Sequence, residues 1–180
     1  MAIDFTDTPS LAIAYGRFCH DSECVSLNIY ASGKFAEACL AFNSMFKRIE
    51  AAGGIVRNRI REYLFIKRLG VWDLPKGKLH KKEPIEKGAL REVREETGLK
   101  GLLITKNLPS TFHIYKNKKG IEVLKETYWF EMKCHIDQKP VPQAEEDITE
   151  VKWFSFHDLN IPMQHTYASL LDLLENYLQI

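Results

Sequence analysis

Blocks of apolar and polar residues divide this chain into segments of different predicted structure. Leu11–Phe18 and Cys24–Tyr30 have strand-like composition around the polar turn His20-Asp21-Ser22-Glu23. Lys34–Ile49 carries Phe35, Ala38, Cys39, Phe42, Met45, Phe46 and Ile49 at helical spacing, so residues 1–48 read as a small β-β-α extension. Ile49–Asn58 predicts a strand, Arg59-Ile60-Arg61 a turn, and Tyr63–Lys67 a second strand around Leu64-Phe65-Ile66, together a hairpin. Leu102–Lys106, Ser110–Lys116 and Ile121–Cys134 follow as strands, with Thr127-Tyr128-Trp129-Phe130-Glu131-Met132 the most strand-like piece. Val151–Phe154 is a short strand. Met163–Leu178 repeats Tyr167, Leu170, Leu171, Leu174, Tyr177 and Leu178 at helical spacing and predicts a closing helix.

Between these strands lies the most informative stretch, from Gly77 to Leu99. Pro84 is placed to open a helix at its first position and Gly98 to close it in a left-handed conformation. On that helix Glu92, Glu95 and Glu96 fall at i, i+3 and i+4, on one face and about 5–6 Å apart at Cβ. Leu90, Val93 and Thr97 form the packing stripe beside them, so the acidic face borders a buried one. Oxygen ligands without Cys or His select a hard ion, with Mg2+ the first choice and Mn2+ the second. Taken alone, the helix is equally compatible with a solvated charged face.

Composition narrows the setting. The chain has 180 residues, 45% of them hydrophobic, enough for one principal domain, here residues 49–180, and a small appendage. No apolar run approaches the roughly 18 residues that span a bilayer, and Met-Ala-Ile-Asp-Phe-Thr-Asp is unlike a signal peptide; a cytoplasmic protein without a membrane partner is expected. Cys19, Cys24, Cys39 and Cys134 show no metal-ligand spacing and read as free thiols. A net charge of +1 argues against duplex nucleic acid as a partner. Local charge is more telling. Lys76, Lys78, Lys81 and Lys82 crowd the approach to the acidic helix, which suits a polyphosphate, whereas Lys116, Lys118 and Lys119 read as a soluble turn.

The stretch as a whole matches Gly-x5-Glu-x7-Arg-Glu-U-x-Glu-Glu-x-Gly-U, U being aliphatic, through Gly77, Glu83, Arg91, Glu92, Val93, Glu95, Glu96, Gly98 and Leu99. This is the Nudix box, and so many fixed residues with two fixed gaps make the match highly specific. Ala-Ala-Gly-Gly-Ile-Val at 51–56, Trp-Asp-Leu-Pro-Lys-Gly-Lys at 72–78 and Glu-Glu-Asp-Ile-Thr-Glu-Val-Lys-Trp-Phe at 145–154 extend the likeness, so residues 50–180 resemble a Nudix hydrolase. The resemblance implies an α/β/α sandwich with a mixed sheet and an enzyme that splits the pyrophosphate link of a nucleoside diphosphate joined to another group.

By match to the motif, Glu92, Glu95 and Glu96 are metal ligands, and one glutamate of the set serves to orient or deprotonate water. Glu83 is a further ligand or a partner at the helix start, and Gly77 lets the backbone pass close to metal or phosphate. Arg91 is expected to pair with a neighbouring carboxylate and fix its rotamer. Outside the box, Glu145 and Glu146 precede the late strand, where similar enzymes often place a further ligand or the base, and Glu146 is favoured. Lys76, Lys78 and Lys125 are candidate phosphate contacts; Trp72, Tyr115 and His113 are candidates to stack on or bond to a base. The flanks resemble dinucleoside polyphosphate and diphosphoinositol polyphosphate hydrolases, and a dinucleoside polyphosphate is the expected substrate. Nucleoside triphosphates, ADP-ribose, a diphosphoinositol polyphosphate and a non-catalytic ligand-binding regulator are the alternatives. The extension carries no catalytic pattern; packing or a homodimer contact are its candidate roles.

Overall fold

Asp7 decides how the chain begins. Its carboxylate accepts the Ser10 N–H at 2.8 Å, Pro9 falls in the first turn, where its missing donor costs little, and Leu11 and Ala14 then share a buried face. The outcome is helix α1 (Thr8–His20) between strands β1 (Ala2–Asp4) and β2 (Asn28–Tyr30), which pair in parallel with Ile3 opposite Ile29. With α2 (Phe35–Ser44) the extension is β-α-β-α, which corrects the expected β-β-α order. Leu11–Phe18 suits a strand by composition, but the cap and proline ahead of it start a helix, and that helix supplies the crossover a parallel pair requires. Phe5, Leu11, Ala38 and Ala41 form the local core.

The computed structural model describes residues 1–179, gathered in two units: residues 1–48 with 114–124, and residues 49–113 with 125 onward. The second unit is built on a seven-stranded sheet. Its strands are β3 (Lys47–Arg57), β4 (Tyr63–Arg68), β5 (Val71–Asp73), β6 (Lys76–Lys78), β7 (Leu102–Lys116), β8 (Glu122–Cys134) and β9 (Ile148–Phe154). The order is β5-β4-β3-β8-β7, with β6 paired to β3 and β9 to β4. The expected hairpin is present, Arg57 pairing antiparallel with Tyr63.

Strand alternation sorts the core into two layers. Ile55, Phe65 and Trp129 join Leu170, Leu173 and Leu174 of α5 (Ala168–Leu178), while their neighbours Val56, Leu64 and Phe130 join Ala89 and Val93 of α3 (Ile85–Thr97). Successive strand residues point to opposite faces, so the two helices cover opposite sides of the sheet, as the expected sandwich requires.

Several boundaries differ from those read off the pattern. Pro84 is the residue before α3, with ψ of 136°, and its carbonyl accepts the Gly88 N–H at 3.0 Å, so it caps the helix instead of occupying the first turn. Gly98 closes α3 with φ of 68°, as expected. β7 runs unbroken through Pro109, because β7 is an edge strand and one missing donor there breaks no interior ladder. β9 begins at Ile148, and the closing helix at Ala168, after the short α4 (Asn160–Met163). No helix of the described residues is long and apolar enough to cross a membrane.

Leu174, 1% exposed, anchors α5 on the sheet. Leu174→Ala is expected to lower stability by about 2–5 kcal/mol in urea unfolding; an unchanged midpoint would contradict the packing described.

Candidate active site

Helix α3 carries the acidic residues, and Arg91 organises them. Its Nε and Nη2 donate to the two oxygens of Glu83, each at 2.8 Å, and Nη1 donates to Glu92 Oε1 and Glu95 Oε2, also at 2.8 Å. Nη2 further reaches Lys78 O at 3.1 Å, tying the helix to β6. Three carboxylates thus share one planar donor set, which suits the fork geometry of guanidinium. The Arg91 hydrogen bonds, helped by the His80 N–H at 2.9 Å, hold the Glu83 carboxyl down at about 2. Burial pushes the Glu92 carboxyl up, and Arg91 pulls it back.

Glu96 stands apart. It is 1% exposed, and its Oε2 accepts the Lys76 N–H at 2.7 Å. Its Oε1 is buried with no hydrogen-bond partner among the described residues. Burial dominates its titration and pushes the carboxyl up to about 8, against the pull of Lys76. An orphaned buried oxygen of this kind costs free energy unless something else satisfies it.

The expected metal ligands are therefore brought to one helix face and its threshold, but not aimed at one centre. Glu83, Glu92 and Glu95 meet at Arg91, and Glu96 turns to the β6 backbone. Among the described residues no three acidic, His or Cys side chains form a ready cage. The chemistry of the donors nevertheless fits a hard divalent ion. All four are carboxylates, Glu96 Oε1 is unsatisfied, and a Cβ at Gly77 would collide with the Glu92 carboxylate where it lies, so a glycine there leaves that carboxylate in place.

The basic residues divide by their surroundings. Lys76 Nζ is held by Asp73 Oδ2, a largely buried pair that occupies the ammonium. Lys125 is pushed down to about 8 by burial, with the Lys76 charge adding to it and Asp73 opposing. Lys78 is exposed. Glu146 sits in the turn Ala144–Glu146, where Oε2 meets Arg68 Nη2 at 3.4 Å and its charge acts on Glu92.

One aromatic candidate changes standing. Trp72, expected to stack on a base, is only 6% exposed and packs edge-on against Phe154 at 5.0 Å, with Lys67 Nζ 5.4 Å from its ring centroid. This corrects the stacking role: a large apolar ring beside Asp-Leu-Pro is worth more in the core than at a wet site. Tyr115 belongs to the other unit. His113 lies in the second unit, exposed on β7.

Asp73 and Arg68 are functional-site neighbours that pattern reading passed over. Asp73 is buried, accepts the Leu74 N–H at 2.8 Å and fixes Lys76. A signal for it existed, since an acidic residue within the apolar run Val71-Trp72-Asp73-Leu74 has to find a buried partner.

The raised Glu96 pKa has a consequence for stability. Between its unfolded value of 4.5 and its folded value of about 8, the folded chain binds a proton that the unfolded chain has lost. Its contribution is complete below the unfolded pKa and is lost as pH rises through the folded one. With chelator present, stability is expected to fall between pH 5 and pH 8 by up to about 1.4 kcal/mol per pH unit, and Glu96→Gln to flatten the slope. Urea titrations across that range check this; parallel profiles for both proteins would contradict it.

Comparison with known proteins agrees with the fold and the box. The family described as NUDIX domain matches residues 47–174. Among solved structures, the MutT protein from Methanosarcina mazei Go1 is 21% identical and superposes with a TM-score of 0.60, over 74% of this chain and 95% of that one. An Ap4A hydrolase of C. elegans, solved as a binary complex, is 21% identical with a TM-score of 0.56, over 73% and 96%. A MutT NUDIX hydrolase from Burkholderia pseudomallei is 26% identical with a TM-score of 0.51, over 71% and 96%. With the family matched over most of its length and the box residues of α3 and β6 lying together, this chain belongs to the NUDIX domain family.

Proposed function

We propose that this Nudix-type pyrophosphohydrolase splits a dinucleoside polyphosphate with the help of Mg2+, Mn2+ being the alternative ion. The observation that carries the reading is the acidic helix α3, with the unsatisfied buried oxygen of Glu96, set beside the cations Lys78, whose carbonyl is bonded to Arg91, and Lys125. Acidic oxygens suit a divalent ion, and adjoining cations suit a ligand richer in phosphate than ADP-ribose. The C. elegans fold neighbour is named an Ap4A hydrolase, which supports the same substrate class here.

In the reaction, water adds to one phosphorus, the bridging P–O bond breaks, and the proton of the water passes to a carboxylate and then to solvent. A bound divalent ion supplies charge neutralisation at the phosphates and a lowered pKa for water. Glu92, Glu95 and Glu96, with Glu83 at the threshold of α3, are the side chains that would hold it, and Gly77 leaves the backbone room. Arg91 keeps Glu83 and Glu92 in fixed rotamers. Glu146 would orient or deprotonate the water. Lys78 and Lys125 attract the phosphate chain, while Lys76 braces the β6 loop through Asp73.

With Mg2+, diadenosine tetraphosphate is expected to turn over faster than ADP-ribose or nucleoside triphosphates; the reverse order in such a panel would refute the substrate. Glu95→Gln is expected to lower turnover about 100-fold or more, the scale seen when one group stabilising the transition state is removed. Its unfolding midpoint should barely move, since the Glu95 side chain is 48% exposed. Unchanged turnover of this variant under saturating Mg2+ would point instead to a ligand-binding module or to chemistry elsewhere.

A further inference from the structure

The segment joining β8 to β9 is anchored more firmly than a plain connection requires. It passes the C-terminal end of α3, where the Val141 N–H donates to Thr97 O at 2.8 Å and the Gln143 N–H to Glu96 O at 3.3 Å. Those carbonyls belong to the last turn, where a helix leaves acceptors without partners of its own. The strap is therefore registered to the helix that bears the acidic residues. Ala144–Glu146 then forms a tight turn, Asp147 follows in the left-handed region with φ of 60°, and Ile148 is buried.

On the other side, β4 receives the strap through a bulge. Lys67 lies opposite Glu150 and Arg68 opposite Ile148, so Thr149 is the additional residue on β9. Thr149 Oγ1 donates to Lys67 O at 3.2 Å. Bulges re-aim the side chains beside them, and here Arg68 Nη2 meets Glu146 Oε2 at 3.4 Å.

Exposure decides what this pair is for. The two side chains are 34% and 44% exposed, and ion pairs so open to water add little to folding. Their setting is more informative. The Glu146 charge acts on Glu92, and the Arg68 charge acts on Glu96. An acidic turn facing an acidic helix is repelled by it, and Arg91 is already engaged with Glu83, Glu92 and Glu95. A cation from outside the helix offsets that repulsion, and Arg68 is in contact with the turn.

We propose that Arg68 is a positioning residue for hydrolysis, holding Glu146 against the acidic helix on a turn whose path is set by the Thr149 bulge and by the strap's bonds to the end of α3. The inference rests on the reading of Glu146 as the residue that handles the attacking water. Arg68 touches neither water nor phosphorus in this role; it acts through Glu146.

A double-mutant cycle on the full chain with Mg2+ and diadenosine tetraphosphate tests it. Arg68→Gln is expected to lower kcat about tenfold, with KM changed less than about threefold, because positioning is lost and substrate binding is not. Arg68→Lys is expected to restore part of the loss. In a Glu146→Gln background, Arg68→Gln should change kcat by less than about twofold, as residues acting as one unit do. Thermal midpoints of all variants should stay within a few degrees of the parent. Full additivity of the two losses would overturn the proposal, as would a raised KM at unchanged kcat, which would make Arg68 a phosphate contact. Normal turnover of Glu146→Gln alone would instead remove the reading of Glu146, an outcome distinct from either.

Discussion

Four carboxylates on and beside one helix repel one another, and the way this repulsion is answered governs the whole site. Arg91 answers it for Glu83, Glu92 and Glu95 with one guanidinium. Glu96 is answered by burial, which favours its protonated form, and by a single backbone donor from Lys76. The two solutions differ in kind. Arg91 compensates charge in a largely buried cluster that opens to solvent only at Glu95, whereas Glu96 keeps an oxygen that nothing in the described chain satisfies. A divalent ion is the species that would make ionised Glu96 the favoured form and draw the other carboxylates towards it.

The remainder of the second unit serves to bring this helix against β6. Val93 and Ala89 bury one side of α3 in the sheet, leaving the glutamates on its margin. Gly77 lies opposite Ala52 of β3, and Gly53, a residue further on, packs so tightly on Pro75 and Lys76 that no side chain fits. Close approach of β3 to β6 therefore places the Lys76 N–H where Glu96 can reach it. Buried Asp73 then holds the Lys76 side chain. Sheet packing, two glycines and one buried ion pair together position a backbone donor, which is a demand that no surface loop could meet with the same accuracy.

Much of this was legible from residue order because local and tertiary preferences agree. Pro84 and Gly98 bracket α3, and the β3–β4 hairpin has its turn where polar residues interrupt two apolar runs. Where they disagree, pattern reading fails for identifiable reasons. The run Leu-Ala-Ile-Ala-Tyr-Gly-Arg-Phe has strand-like composition, yet Asp7 and Pro9 make it a helix. Pro109 looks like a strand break, yet β7 is at the sheet edge, a fact about neighbours that no local window contains. Trp72 sits beside the box and so looked available for a base, but Phe154, distant in sequence, claims its ring. The motif identified the acidic residues of the site, while Asp73, which holds Lys76, and Arg68, which meets Glu146, gained their roles only once strands β4, β5 and β9 were placed.

The proposed hydrolysis requires Glu92, Glu95 and Glu96 to converge on a hard divalent ion. Diffraction from crystals grown with Mn2+, recorded at the manganese edge, tests it most directly. The account predicts an anomalous peak within ligand distance of Glu96 Oε1 and of at least one oxygen from Glu92 or Glu95, with Arg91 still bonded to Glu83. Manganese bound elsewhere, or Glu92 and Glu95 still clamped by Arg91 with Glu96 Oε1 unligated at saturating Mn2+, would contradict it.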